Sequence, residues 1–71
     1  MNILIFKTNI RYKKYLNEVV PFLNNTSAIL RWNVDFHDKD RILRIETDNL
    51  HPKSVEMGIK QAGYYCEELQ D

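Results

Sequence analysis

A single cysteine, Cys66, stands in the 71 residues. It excludes an internal disulfide and a Cys-x-x-Cys pair, and gives no sign of an oxidising compartment. Glycine and proline occur twice each, too rarely for a linker-like, collagenous or disordered segment. No charge of one sign is in excess, because ten Lys and Arg balance ten Asp and Glu; global charge therefore argues for neither nucleic acid nor membrane. No apolar run approaches the roughly 20 residues of a membrane helix. The opening "MNILIF" is too short for a signal-peptide core and runs straight into charge. The expectation is a soluble, unprocessed, cytoplasmic protein.

What is present is a hydrophobic share of 44% with eight aromatic residues, enough for one small core, so residues 1–71 are expected to form a single domain. Residues 2–7, "NILIFK", read as a central strand with either face inward. From Arg11 to Leu23, Tyr12, Tyr15, Leu16, Val19, Phe22 and Leu23 recur at helical spacing, with Lys13, Lys14, Asn17 and Glu18 opposite them. Pro21 falls inside this helix and predicts a kink, or a break followed by one last turn, before "NNTS" turns the chain.

"LRWNVDF" alternates, with Leu30, Trp32, Val34 and Phe36 on the core side and Arg31, Asn33 and Asp35 on the other. The polar turn "HDKD" leads to "RILRIET", a partner strand with Leu43 and Ile45 inward and Ile42 on the polar side. Pro52 opens a second helix with Val55, Ile59 and Ala62 on one face and Gly63 as its stop; Gly58 inside it admits a close neighbour. "YYCEEL" is a last short strand. The order is βαββαβ, an α+β ferredoxin-like fold with a four-stranded antiparallel sheet and both helices on one face.

In that topology the Lys7–Arg11 connection, the His37–Arg41 turn and the Gly63–Tyr64 loop share one pole. Asn24–Ser27 and Asn49–Pro52 share the other. Lys7, Arg11, Lys13 and Lys14 thus crowd the start of the first helix, where the backbone dipole is already positive.

Three segments resemble the heavy-metal-associated domain of copper chaperones and copper-transporting P-type ATPases: "KTNIRY" between the first strand and helix, "WNVDFHDKDRILRIE" at the hairpin, and "IKQAGYYCEEL" at the end. The resemblance covers nearly the whole chain. It implies a first loop bearing Met-x-Cys-x-x-Cys, whose thiolates bind Cu(I). Here Lys7 stands at the Met position, Asn9 at the first Cys and Tyr12 at the second. An amide oxygen is a hard donor and a phenol titrates near pH 10, so neither replaces a thiolate. A two-thiolate Cu(I) site carries about one net negative charge; without it the surrounding cations remain, which is the chemistry of an anion or acidic-surface site.

The expected function is therefore a small non-enzymatic binding module on a metallochaperone-like scaffold that lacks the metal-binding cysteines. Lys7, Asn9, Arg11, Lys13, Lys14 and Tyr64 are its candidate contacts to a protein partner with an acidic surface, or to an anionic ligand. No cofactor is expected; the alternative is an atypical chaperone of Cu(I) or another soft metal ion, using Cys66 or a site shared between chains. Cys66 is otherwise a buried inert thiol, Trp32 a core residue, and His37 and His51 hairpin and capping residues. The absence of an RNP-type signature argues against nucleic acid. No nucleophile has a recognisable base partner, and Asp38/Asp40 and Glu67/Glu68 read as turn and edge residues. A monomer is expected, or a weak homodimer through the open sheet face of Arg31, Asn33, Ile42, Arg44 and Glu46.

Overall fold

A computed structural model describes residues 2–70. The elements are β1 (Asn2–Thr8), a 3₁₀ turn (Lys13–Tyr15), α1 (Leu16–Asn25), β2 (Ile29–Asp35), β3 (Ile42–Thr47), α2 (Pro52–Gln61) and β4 (Cys66–Glu68). The strands form one antiparallel sheet in the order β2-β3-β1-β4, with two helices. This is the ferredoxin-like arrangement expected from the alternation of strand and helix periods. Among the described residues no helix is long and apolar enough to cross a membrane.

Side chains alternate across the sheet and only one side is covered. Phe6, Leu43, Ile45 and Cys66 from the strands meet Val19 and Leu23 of α1 and Val55 and Ile59 of α2, all fully or almost fully buried. Each large apolar side chain so buried contributes about 1.5–3 kcal/mol. The inward face of β1 is thereby assigned to Leu4, Phe6 and Thr8, while Ile3 and Lys7 are exposed.

Local sequence departs from the regular pattern in three places. In β2 the register shifts between Ile29 and Arg31, so Ile29 packs against the core and Leu30, expected inward, is exposed. A bulge adds one residue and reverses the side-chain phase behind it. The first helix, expected from Arg11, becomes regular only at Leu16, after the 3₁₀ turn, and extends to Asn25. It runs through Pro21 without a break. Pro21 has no N–H to offer the Asn17 carbonyl, and both residues are exposed, so this turn of the helix faces solvent.

Two glycines are explained by geometry. A Cβ on Gly58 would overlap the tip of the Phe22 ring, so the glycine lets α1 and α2 approach. Gly63 has φ +100°, the left-handed conformation that stops α2. His51 caps that helix at its other end, its Nδ1 accepting the Lys53 N–H at 3.1 Å.

Candidate functional site

The pole at the end of β1 is built around Thr8, which is 5% exposed. Its N–H donates to the Asp40 carbonyl at 3.0 Å and its hydroxyl donates to the Arg41 carbonyl at 2.6 Å. The same hydroxyl oxygen accepts the Ile10 N–H at 3.2 Å. These bonds fix the first loop to the β2–β3 turn, and the fully buried Ile10 anchors it to the core. Asn9 points the other way. Its side-chain oxygen accepts the Tyr65 N–H at 2.8 Å, tying the loop to the entry of β4. The three connections expected at one pole are thus joined by hydrogen bonds, whereas His51 lies at the opposite pole on the α2 cap.

The 3₁₀ turn carries an aromatic row. Tyr12 and Tyr15 have ring centroids 5.7 Å apart, and Tyr15 and Tyr64 5.9 Å apart. Lys14 Nζ lies 5.9 Å from the Tyr12 ring centre and 5.4 Å from that of Tyr15, a cation–π arrangement that holds the ammonium at the surface. The Tyr64 phenol is pushed above its usual value, first by desolvation and then by the Glu18 carboxylate beside it. It remains neutral at physiological pH.

The cations divide into two kinds. Lys7 pairs with Asp40 at 3.7 Å, so it is not the uncompensated charge expected from the sequence. Arg11, Lys13 and Lys14 are exposed and make no ion pair among the described residues. They also stand before the first regular turn of α1, which holds Glu18, rather than on its N-terminal dipole. Arg11 and Lys13, with Tyr12, face Val34, Asp35, Phe36 and His37 across a groove of about 460 Å³. Sequence reasoning missed the β2 side of this groove and the role of Asp40. The Thr8 hydroxyl beside a turn was the one local signal for the clamp.

Cys66 is 1% exposed and pairs in register with Thr8. Burial pushes its thiol up to about 12; Glu56 adds to the shift and Lys60 opposes it. A protonated, enclosed thiol is a poor ligand and a poor nucleophile. Among the described residues no group of three or more His, Cys, Asp or Glu is placed to hold a metal ion.

No family model matches the chain, and no curated protein does. Solved structures do. The yeast copper transporter domain Ccc2a, determined in apo and Cu(I)-loaded states, superposes with a TM-score of 0.83 at 16% identity, covering 100% of this chain and 99% of that one. The N-terminal domain of ZntA in its apo form gives 0.80 at 19% identity over 96% and 92% of the two chains. The HMA domain of the copper chaperone for superoxide dismutase gives 0.77 at 15% identity over 96% of this chain and 66% of the other.

The chain has a heavy-metal-associated fold.

The expectation of no cofactor is overturned by these neighbours. Domains of the same fold have been solved Cu(I)-loaded and in a Zn(II) form. The side chains on this copy of the fold nonetheless do not fit a two-thiolate site. At the positions matching the metal cysteines, Asn9 has its oxygen engaged by Tyr65 and Tyr12 presents an exposed phenol. Cys66, the one thiol, is enclosed in the core.

Proposed function

We propose that the chain is a non-enzymatic docking module: a single domain, cytoplasmic, whose heavy-metal-associated scaffold presents Arg11, Lys13 and Lys14 to an acidic surface on a protein partner. Asn9 and Tyr64 serve as its framework, Asn9 by latching the loop and Tyr64 by backing the aromatic row. The observation that carries the reading is the contrast at this pole. Lys7 is matched by Asp40, whereas Arg11, Lys13 and Lys14 make no ion pair among the described residues, and Arg11 and Lys13 border a groove whose other wall includes the apolar side chains of Val34 and Phe36. Unpaired charge on a rigid loop steers an oppositely charged partner and costs no loop ordering on binding.

The test is a nuclear magnetic resonance titration of the whole chain with a synthetic oligoglutamate peptide. It is run at ionic strengths of about 0.01 M and about 0.15 M, where charges are screened over roughly 30 Å and roughly 8 Å. Saturable shifts at residues 11–14 and 34–37 are expected, weaker at the higher salt and abolished by Lys13→Glu with Lys14→Glu. Shifts that survive the double reversal overturn the reading. Saturable shifts with inorganic phosphate but none with the peptide overturn the assignment to a protein partner.

A further inference from the structure

We infer that the outer edge of β2 is a self-pairing surface, on which Arg31–Asp35 of two copies join antiparallel about Asn33, with Arg31 of each opposite Asp35 of the other. β2 lies at one end of the sheet, and among the described residues no strand lies beyond it to pair with its outward backbone groups. Sheet edges are ordinarily blunted by shortness, proline, lysine or a bulge. The other edge, β4, is three residues long. β2 has seven residues and contains neither proline nor lysine. Its bulge is confined to Ile29–Arg31, and the register then runs one for one from Arg31↔Glu46 to Asp35↔Ile42.

That regular stretch reads Arg-Trp-Asn-Val-Asp. Reversed about its middle residue, it sets Arg31 against the second copy's Asp35, Trp32 against Val34, and Asn33 against itself. A two-fold interface demands this self-complementarity. Sliding one copy by two residues breaks both charge pairs. The charged groups are also available. The Arg31 side chain is 81% exposed and its contact is Glu46 at 3.6 Å, which Arg44 also approaches at 3.6 Å, so Glu46 stays paired when Arg31 turns outward. Asp35 is exposed and makes no ion pair among the described residues; one oxygen accepts the His37 N–H at 2.9 Å, leaving the other for a guanidinium. A five-residue pairing is a small contact, so the dimer is weak and concentration-dependent, in the class that buries less than about 1,200 Å². It uses none of Arg11, Lys13 and Lys14, so it is tested separately from the docking pole, although Asp35 also lines the groove there.

Sedimentation velocity over a concentration series tests it on the wild type, Arg31→Asp, Asp35→Arg and an equimolar mixture of the two variants, with circular dichroism confirming that each is folded. The wild type is expected to associate reversibly. Either reversal places like charges opposite each other at both ends of the contact and weakens association by about tenfold or more. The mixture regains association, because each reversed residue then meets its opposite. A wild type that stays monomeric throughout, association indifferent to either reversal, or a mixture that fails to associate overturns the inference.

Discussion

Replacing Asn9 with alanine removes the acceptor that the Tyr65 N–H uses at 2.8 Å, and the cost follows from where that bond lies. Both residues are exposed, so water takes up the freed N–H and no buried donor is orphaned. The loss is that of one ordinary hydrogen bond, about 1 kcal/mol. Its position concentrates the effect. The bond joins residues 56 apart in sequence and fixes the entry to β4, whose ladder to β1 is Phe6↔Glu68, Lys7↔Glu67 and Thr8↔Cys66. A change of about 1 kcal/mol raises the opened population roughly fivefold, and amide hydrogen exchange from Tyr65 to Glu68 is expected to accelerate by that factor. Asn9→Asp keeps the acceptor oxygen and charges it, which strengthens the bond, so that variant should retain wild-type protection. Exchange unchanged in Asn9→Ala, or an Asp variant as unprotected as the Ala variant, would refute the latch.

Two further substitutions probe the scaffold. Gly58→Ala gains about 1 kcal/mol of helix propensity but meets the Phe22 ring, and overpacking costs about 1–3 kcal/mol, so urea unfolding should show a net loss. With Phe22→Ala already in place the ring is gone and the same Gly58→Ala change should stabilise; a loss in both backgrounds would show that the ring is not what the glycine accommodates. Cys66 should resist iodoacetamide in the native protein at pH 8 and react once urea unfolds it, because the buried thiol stays protonated. Its pKa is raised on folding, so the associated stability is intact below the ordinary value of 9.0 and is lost as pH climbs from there toward about 12. A Cys66→Ala variant should lack that part of the alkaline decline.

The sequence carried the fold because each element has its own period and punctuation. Gly63 stops a helix, Pro52 starts one, and Leu43, Ile45 and Thr47 alternate against Ile42, Arg44 and Glu46. It could not resolve β2, where Ile29 and Leu30 are both apolar and either phase satisfies an alternating pattern; the bulge chooses Ile29. The 3₁₀ turn was hidden for a similar reason. Tyr12 and Tyr15 are three residues apart, a spacing that fits three residues per turn as well as 3.6. At the candidate site the exposed cations were legible from composition, but the bonds that organise them were not. Lys7 to Asp40, Thr8 to Arg41 and Asn9 to Tyr65 join residues distant in the chain, and only the folded topology makes them neighbours.

Asp35 belongs to both proposed surfaces, and this couples them. It is the carboxylate on the wall of the groove that faces Arg11 and Lys13, and the acceptor that a second copy's Arg31 would take at the β2 edge. In the monomer its negative charge opposes an acidic partner approaching the groove. Once paired with a guanidinium it is neutralised, and the same groove becomes more positive without any change in backbone. Self-pairing should therefore raise affinity for oligoglutamate, and by linkage the peptide should favour the dimer by the same factor. Asp35→Asn separates the two contributions: it removes the repulsive charge from the groove and the attractive charge from the edge, so it should bind the peptide more tightly than the wild-type monomer while losing the concentration dependence of that binding. Peptide affinity that is unchanged by Asp35→Asn would mean that this carboxylate does not oppose the peptide, and affinity that remains concentration-dependent in the variant would mean that the coupling does not run through Asp35.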